Sequence, residues 1–159
     1  MAMNLNEENK GGTFCMTKVG LAIGNGSKLG IALASTVGTG SDFSIDGIMY
    51  NKADSATDVP LTAAAVQPVL TKCLYLICID SAGTISSVKG TAVLTADLTA
   101  GTTVLKWPEL PADKCAIGAV KMTLASTATF TAGTTALDAT NCTATYYDLF
   151  NVPSKPLTS

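Results

Sequence analysis

The stretch from Lys72 to Thr91, KCLYLICIDSAGTISSVKGT, constrains the fold more than any other part of the chain. Cys73 to Ile79 is an unbroken apolar run of strand length. It does not alternate, so both of its faces must be covered. Asp80-Ser81-Ala82-Gly83 supplies turn chemistry, with Asp opening the turn and Gly free to take positive φ. Thr84 to Lys89 returns as a more polar strand. A hairpin with one arm buried on both faces requires sheet on either side of it.

The rest of the chain fits around that hairpin. Residues 1–12 read as a polar, extended N-terminal arm, and 1–41 together as the arm and a Gly-rich docking segment. Residues 42–153 read as a β-domain and 154–159 as a C-terminal tail. Phe14 to Ile23 is apolar without clean alternation. Gly24 to Ser27 signals a turn, and Lys28 to Val37 resumes as a strand. Asp42 to Lys52 reads as one strand. Phe43, Ile45 and Met49 lie on one face, Asp46, Ile48 and Tyr50 on the other, and Gly47 sits mid-strand as a bulge. Ala53 to Asp58 reads as a polar connection, and Val59 to Ala65 as a strand or a turn of helix. Ala92 to Val104 gives no clear signal. Leu105 to Pro111 is extended, lying across the domain surface or a subunit interface. Ala116 to Leu124 alternates well. Thr129 to Thr135 reads as a short strand, and Thr143 to Phe150 as the last one. No amphipathic helix of useful length is present. About eight to ten short strands with Gly and Pro punctuation predict an all-β fold: a β-sandwich, jelly roll or barrel.

Composition narrows the chemistry. Charged residues make up 14% of the chain, against about 25% in a typical soluble domain. Such a surface suits a protein largely covered by neighbours. All the positive charge is Lys, so the best residue for phosphate and base contacts is missing and nucleic acid is not an expected partner. There is no His, the commonest general base and metal ligand. Gly24-Asn25-Gly26-Ser27-Lys28-Leu29-Gly30 mimics a phosphate loop but misplaces its glycines and Lys. Asp46, Asp80 and Asp148 are the only candidates for a paired-carboxylate mechanism, and each also suits a turn or a strand surface. Asp54 to Asp58 lacks the Gly and Glu of a calcium loop. The five cysteines (15, 73, 78, 115 and 142) are odd in number and scattered, which suits buried free thiols and a reducing cytoplasm. The polar, acidic stretch MAMNLNEENK is not a signal peptide. Gln67, Pro68 and Lys72 interrupt the most apolar window, so no membrane span is expected. The reading is of a non-enzyme with no cofactor, no metal and no membrane association.

Several pieces resemble a group of small virion proteins of tailed bacteriophages. They are Phe43-Ser44-Ile45-Asp46-Gly47-Ile48-Met49-Tyr50, and Asp80-Ser81-Ala82-Gly83-Thr84 with Lys89-Gly90. Leu110-Pro111 before Ile117-Gly118 and Lys121, the turn Phe130 to Thr135, and Tyr146-Tyr147-Asp148 complete the set. The resemblance implies a capsid decoration (cement) or head-fibre protein, β-rich and commonly a homotrimer. Such a protein would be assembled in the host cytoplasm and would sit on the capsid exterior, bound to the major capsid protein. No catalytic residues belong to the pattern. Aromatic and apolar residues anchor interfaces, so Phe14, Trp107, Leu110, Tyr146 and Tyr147 are the candidate contact residues. The alternative is a fibre or adhesin module. In that reading Tyr50, Tyr146, Tyr147 and Trp107, with Asp46 or Asp148, form a platform for host-surface glycans.

Overall fold

The computed structural model describes residues 12–26, 28–34 and 40–150. The apolar run is the middle of its largest sheet. Thr71–Asp80 forms strand β7, and the chain turns back into β8 (Ile85–Lys89). Asp80 Oδ1 accepts hydrogen bonds from the Ala82 and Thr84 amides at 3.0 and 2.8 Å, which fixes the turn. Gly83 occupies it at φ 79°. β10 (Lys114–Leu124) pairs with the other side of β7, and β11 (Cys142–Asp148) pairs with β10. The short β9 (Val93–Leu94) adds to the start of β7, ahead of α1 (Thr95–Thr99).

Two three-stranded sheets complete the fold. One has the order β1 (Phe14–Cys15), β4 (Ser41–Ile45), β5 (Ile48–Lys52). The other has the order β2 (Leu21–Ile23), β3 (Gly30–Leu33), β6 (Ser55–Pro60). All named pairings are antiparallel. The described residues thus form an all-β fold of eleven strands in three sheets, and no sheet closes into a barrel.

Alternation along β7 explains its composition. Cys73, Tyr75, Ile77 and Ile79 enter the core shared by all three sheets. Leu74, Leu76 and Cys78 face the other way and are buried too. Segment 104–111 lies over part of that second face, so close that a methyl group on Gly90 would stand 3.2 Å from Pro108 Cγ. The segment read as crossing a surface therefore lies against the outer face of the main sheet beside Leu74.

Several expectations are corrected. Asp42 to Lys52 is a hairpin, because Asp46 (φ 52°) and Gly47 (φ 82°) form a two-residue turn with both residues left-handed. Phe43 consequently lies opposite Tyr50, with stacked rings 5.6 Å apart, where a single strand would have separated them. The polar connection from Ala53 becomes the start of β6. A bulge between Ala116 and Gly118 resets the alternation of β10, so Ile117 joins Val120, Met122 and Leu124 in the core. Phe130 makes only an isolated bridge to Gln67 in place of a strand.

The division at 41/42 cuts through one core. Cys15, Val19, Leu21, Ile31 and Leu33 pack with Ile77, Ile79 and Val120. Small residues such as Gly30 and Ala32 let this Gly-rich segment sit close to its neighbours, so it builds strands. Residues 1–11 of the expected arm and the tail at 154–159 lie outside the described residues.

Candidate interface residues

β11 sorts its side chains by position. Cys142, Ala144 and Tyr146 turn inward onto the core, which leaves Thr143, Thr145 and Tyr147 on the outer face. There Tyr147, 38% exposed, meets Trp107, 55% exposed, across a groove of about 220 Å³ floored by Leu74 and flanked by Leu105 and Lys121. Register brings Lys121 beside both Leu74 and Thr145. Its ammonium sits 5.6 Å from the Tyr147 ring centroid, a cation–π arrangement. Pro108 holds Trp107 in extended backbone. The groove offers two aromatic surfaces, an apolar floor and one cation over the β7–β10–β11 sheet. It can bury an apolar or aromatic side chain from a partner.

Phe14 and Leu110 meet elsewhere. They line a cleft of about 380 Å³ with Thr13, Asp46, Asp113 and Lys114. Asp46 Oδ1 accepts from Thr13 Oγ1 at 3.3 Å, and Thr13 Oγ1 accepts from the Asp46 amide at 3.0 Å. Tyr146 belongs to neither place. Burial, and then Asp138 nearby, push its hydroxyl up to about 12, and its oxygen has no hydrogen-bond partner among the described residues. The five candidate residues therefore separate into two pairs and one inward residue.

The four-aromatic platform is likewise not assembled. Tyr50 stacks on Phe43, Tyr146 faces inward, and only Trp107 and Tyr147 share a groove. Asp148 Oδ1 accepts from the Leu21 amide at 2.9 Å, tying β11 to β2. Asp46 sits in the β4–β5 turn and Asp80 in the β7–β8 turn, so each of the three carboxylates has its own local donor. Among the described residues, no group of three Cys, Asp or Glu side chains is placed to hold a metal ion, and no helix is long and apolar enough to cross a membrane.

Leu74, Leu105 and Lys121 were not among the expected contact residues, and of the three only Lys121 carried a sequence signal. Its signal was its position as the one charge inside an otherwise uncharged stretch from Cys115 to Phe130. Ile48 and Met49, both exposed on the β4–β5 hairpin, were also missed because the hairpin itself was read as a straight strand.

The five cysteines are free thiols. Four are buried and Cys142 is partly exposed. Burial pushes Cys78 up to about 11 and Cys115 up to about 12, from an ordinary value of 9.0. The neutral thiol is the form the fold favours. Its stabilising contribution is complete below the ordinary value and is lost as pH climbs through that value toward the raised ones. The unfolding free energy should therefore hold steady to about pH 8 and decline between about pH 9 and pH 12. Denaturant melts across that range check it. At neutral pH a thiol reagent should label Cys142 first, and the other four only after unfolding. Rapid labelling of all five in the native protein would contradict this burial.

No family model, curated protein or solved structure matches the chain.

Proposed function

We propose that this chain is a structural virion protein of a tailed bacteriophage, which binds the major capsid protein on the shell exterior and stabilises the shell. The observation that supports this reading best is the exposed Trp107–Tyr147 groove over the hydrogen-bonded main sheet. Trp and Tyr dominate the binding energy of protein interfaces, and they do so best where the surface beneath them is already ordered. The low charge content, and carboxylates occupied in turns and strand contacts, favour a binding role over catalysis. In the same reading the three sheets form a β-sandwich, with the β11-β10-β7-β8 sheet as one layer and the two smaller sheets facing it across the common core.

Co-sedimentation with shells of the phage that encodes this chain, stripped of their own copies, tests the proposal. The protein should pellet with the shells and raise their resistance to heat. Removing the Trp107 and Tyr147 side chains together should weaken binding by about thirtyfold or more, the scale of one strong interface anchor. Shells that do not retain the protein would overturn the reading. Host-surface glycan binding without shell binding would favour the fibre or adhesin role in its place.

A further inference from the structure

A strand at the edge of a sheet presents unpaired N–H and C=O groups, and stable monomers usually blunt such edges. Most edges described here are blunted. β1, β2 and β9 are two or three residues long. β6 ends in Pro60. β5 ends in Lys52, and its Asn51 side chain is tied back to Asp42. β8 is roofed by Thr62, whose amide donates to Ser87 Oγ at 2.9 Å and whose hydroxyl accepts from the Ser87 amide at 2.8 Å.

β11 shares only one of these devices, a terminal charge, Asp148, held by the Leu21 amide at 2.9 Å; the rest of its edge is unprotected. The strand is seven residues long, and between its ends it contains no Pro and no charge. Its register against β10 runs without a bulge from Cys142 to Asp148. Among the described residues no strand lies on its free side. Exposed Tyr147 stands on this same edge strand, so the free edge and the Trp107 groove are continuous.

We infer that β11 pairs with β11 of a second copy of this chain, antiparallel about a two-fold axis at Thr145. A two-fold interface must be self-complementary, and this strand is. The pairing sets Thr143 opposite Tyr147, an aromatic–β-branched contact of the kind that stabilises sheets, and the smaller Ala144 opposite Tyr146. Charge selects the direction. Asp148 is the only ionised side chain on β11. Parallel pairing would bring two such carboxylates together, whereas antiparallel pairing holds them about 20 Å apart at a rise of about 3.4 Å per residue. The result is one sheet running through both copies, with the two Trp107 grooves on a common face. A two-fold pair departs from the three-fold assembly that the resemblance implies. The inference does not depend on the capsid role.

Sedimentation velocity and light scattering on the full chain, over a micromolar dilution series, test it. Two copies are expected. Thr145→Asp is the decisive variant. Within one chain the new carboxylate faces Lys121, its cross-strand neighbour, so the fold is retained. Across the two-fold axis two carboxylates meet, and the dimer should weaken by about a hundredfold at low salt and recover partly at high salt. Thr145→Cys reads the register directly. Directly opposed residues have Cα atoms about 4.5–5.5 Å apart, within disulfide reach, so mild oxidation should link position 145 to position 145. A monomer at every concentration, a trimer, or a Thr145→Asp dimer of undiminished affinity would each overturn the inference. So would a dimer broken by Met49→Asp on β5 but not by Thr145→Asp.

Discussion

Replacing Gln67 with leucine is expected to lower the unfolding free energy by about 3 kcal/mol and the Tm by about 9 °C, although the two side chains are similar in size. Gln67 is fully buried. Its amide Nε2 donates to the Thr71 carbonyl, to Thr71 Oγ1 and to the Met122 carbonyl, each at 3.2 Å. Its Oε1 accepts from the Tyr75 hydroxyl at 3.3 Å. Its backbone exchanges both bonds with Phe130, at 2.8 and 3.2 Å. One residue therefore joins β7, β10 and the Phe130 loop. Phe130 in turn meets Tyr75 edge-to-face at 5.6 Å. Leucine would fill the space but leave buried oxygen atoms short of a donor, and each such group costs about 1–3 kcal/mol. Gln67→Glu separates hydrogen bonding from volume. A buried carboxyl has its pKa raised, so that variant should be closest to wild type below about pH 4 and lose stability as pH rises. Thermal melts of both variants across pH provide the check. A Leu variant within about 0.5 kcal/mol of wild type, the range of ordinary surface substitutions, would show that the network contributes little.

Gln67 also marks where sequence reading stops. A single Gln before Pro68 looks like loop, and its partners Met122 and Phe130 are more than fifty residues away along the chain. What was legible was local. The β7–β8 hairpin needed only an apolar run and a turn whose Asp and Gly lie three residues apart. Asp46-Gly47 offered an equally local signal, but the side chains around it alternate, and alternation suggested a straight strand. The bulge in β10 could not be seen, because apolar residues on either side of it satisfy both phases. The interface residues follow the same pattern. The two prolines after Trp107 suggested an extended segment at a surface, with a core position for the ring equally open. Its meeting with Tyr147 depends on the registers of β7, β10 and β11, and on which of two adjacent tyrosines faces the core. That last choice is set by packing, since Tyr146 and Tyr147 are chemically the same.

Gly30→Ala is expected to cost about 3 kcal/mol or more, the upper range for overpacking a close contact. The reason is space alone, since Gly30 does not take positive φ. A methyl group there would stand 2.1 Å from the Val59 carbonyl oxygen, 2.4 Å from its carbon and 2.7 Å from Pro60 N. All three are backbone atoms, so no rotamer change relieves the clash. β6 would have to move away from β3, losing the Gly30–Pro60 and Ile31–Val59 pairs. Gly101→Ala is the control. Gly101 has positive φ (71°) and open space around it, so its cost is conformational, about 1–2 kcal/mol. The form of the melt is as informative as its midpoint. Ile31 and Leu33 lie in one core with Ile77 and Val120. Gly30→Ala should therefore shift a single cooperative transition, with exchange protection falling in β7 and β10 as well as in β3. Were residues 14–34 an appendage docked on a separate domain, the variant would instead melt in two steps, and the amides of β7 and β10 would keep wild-type protection.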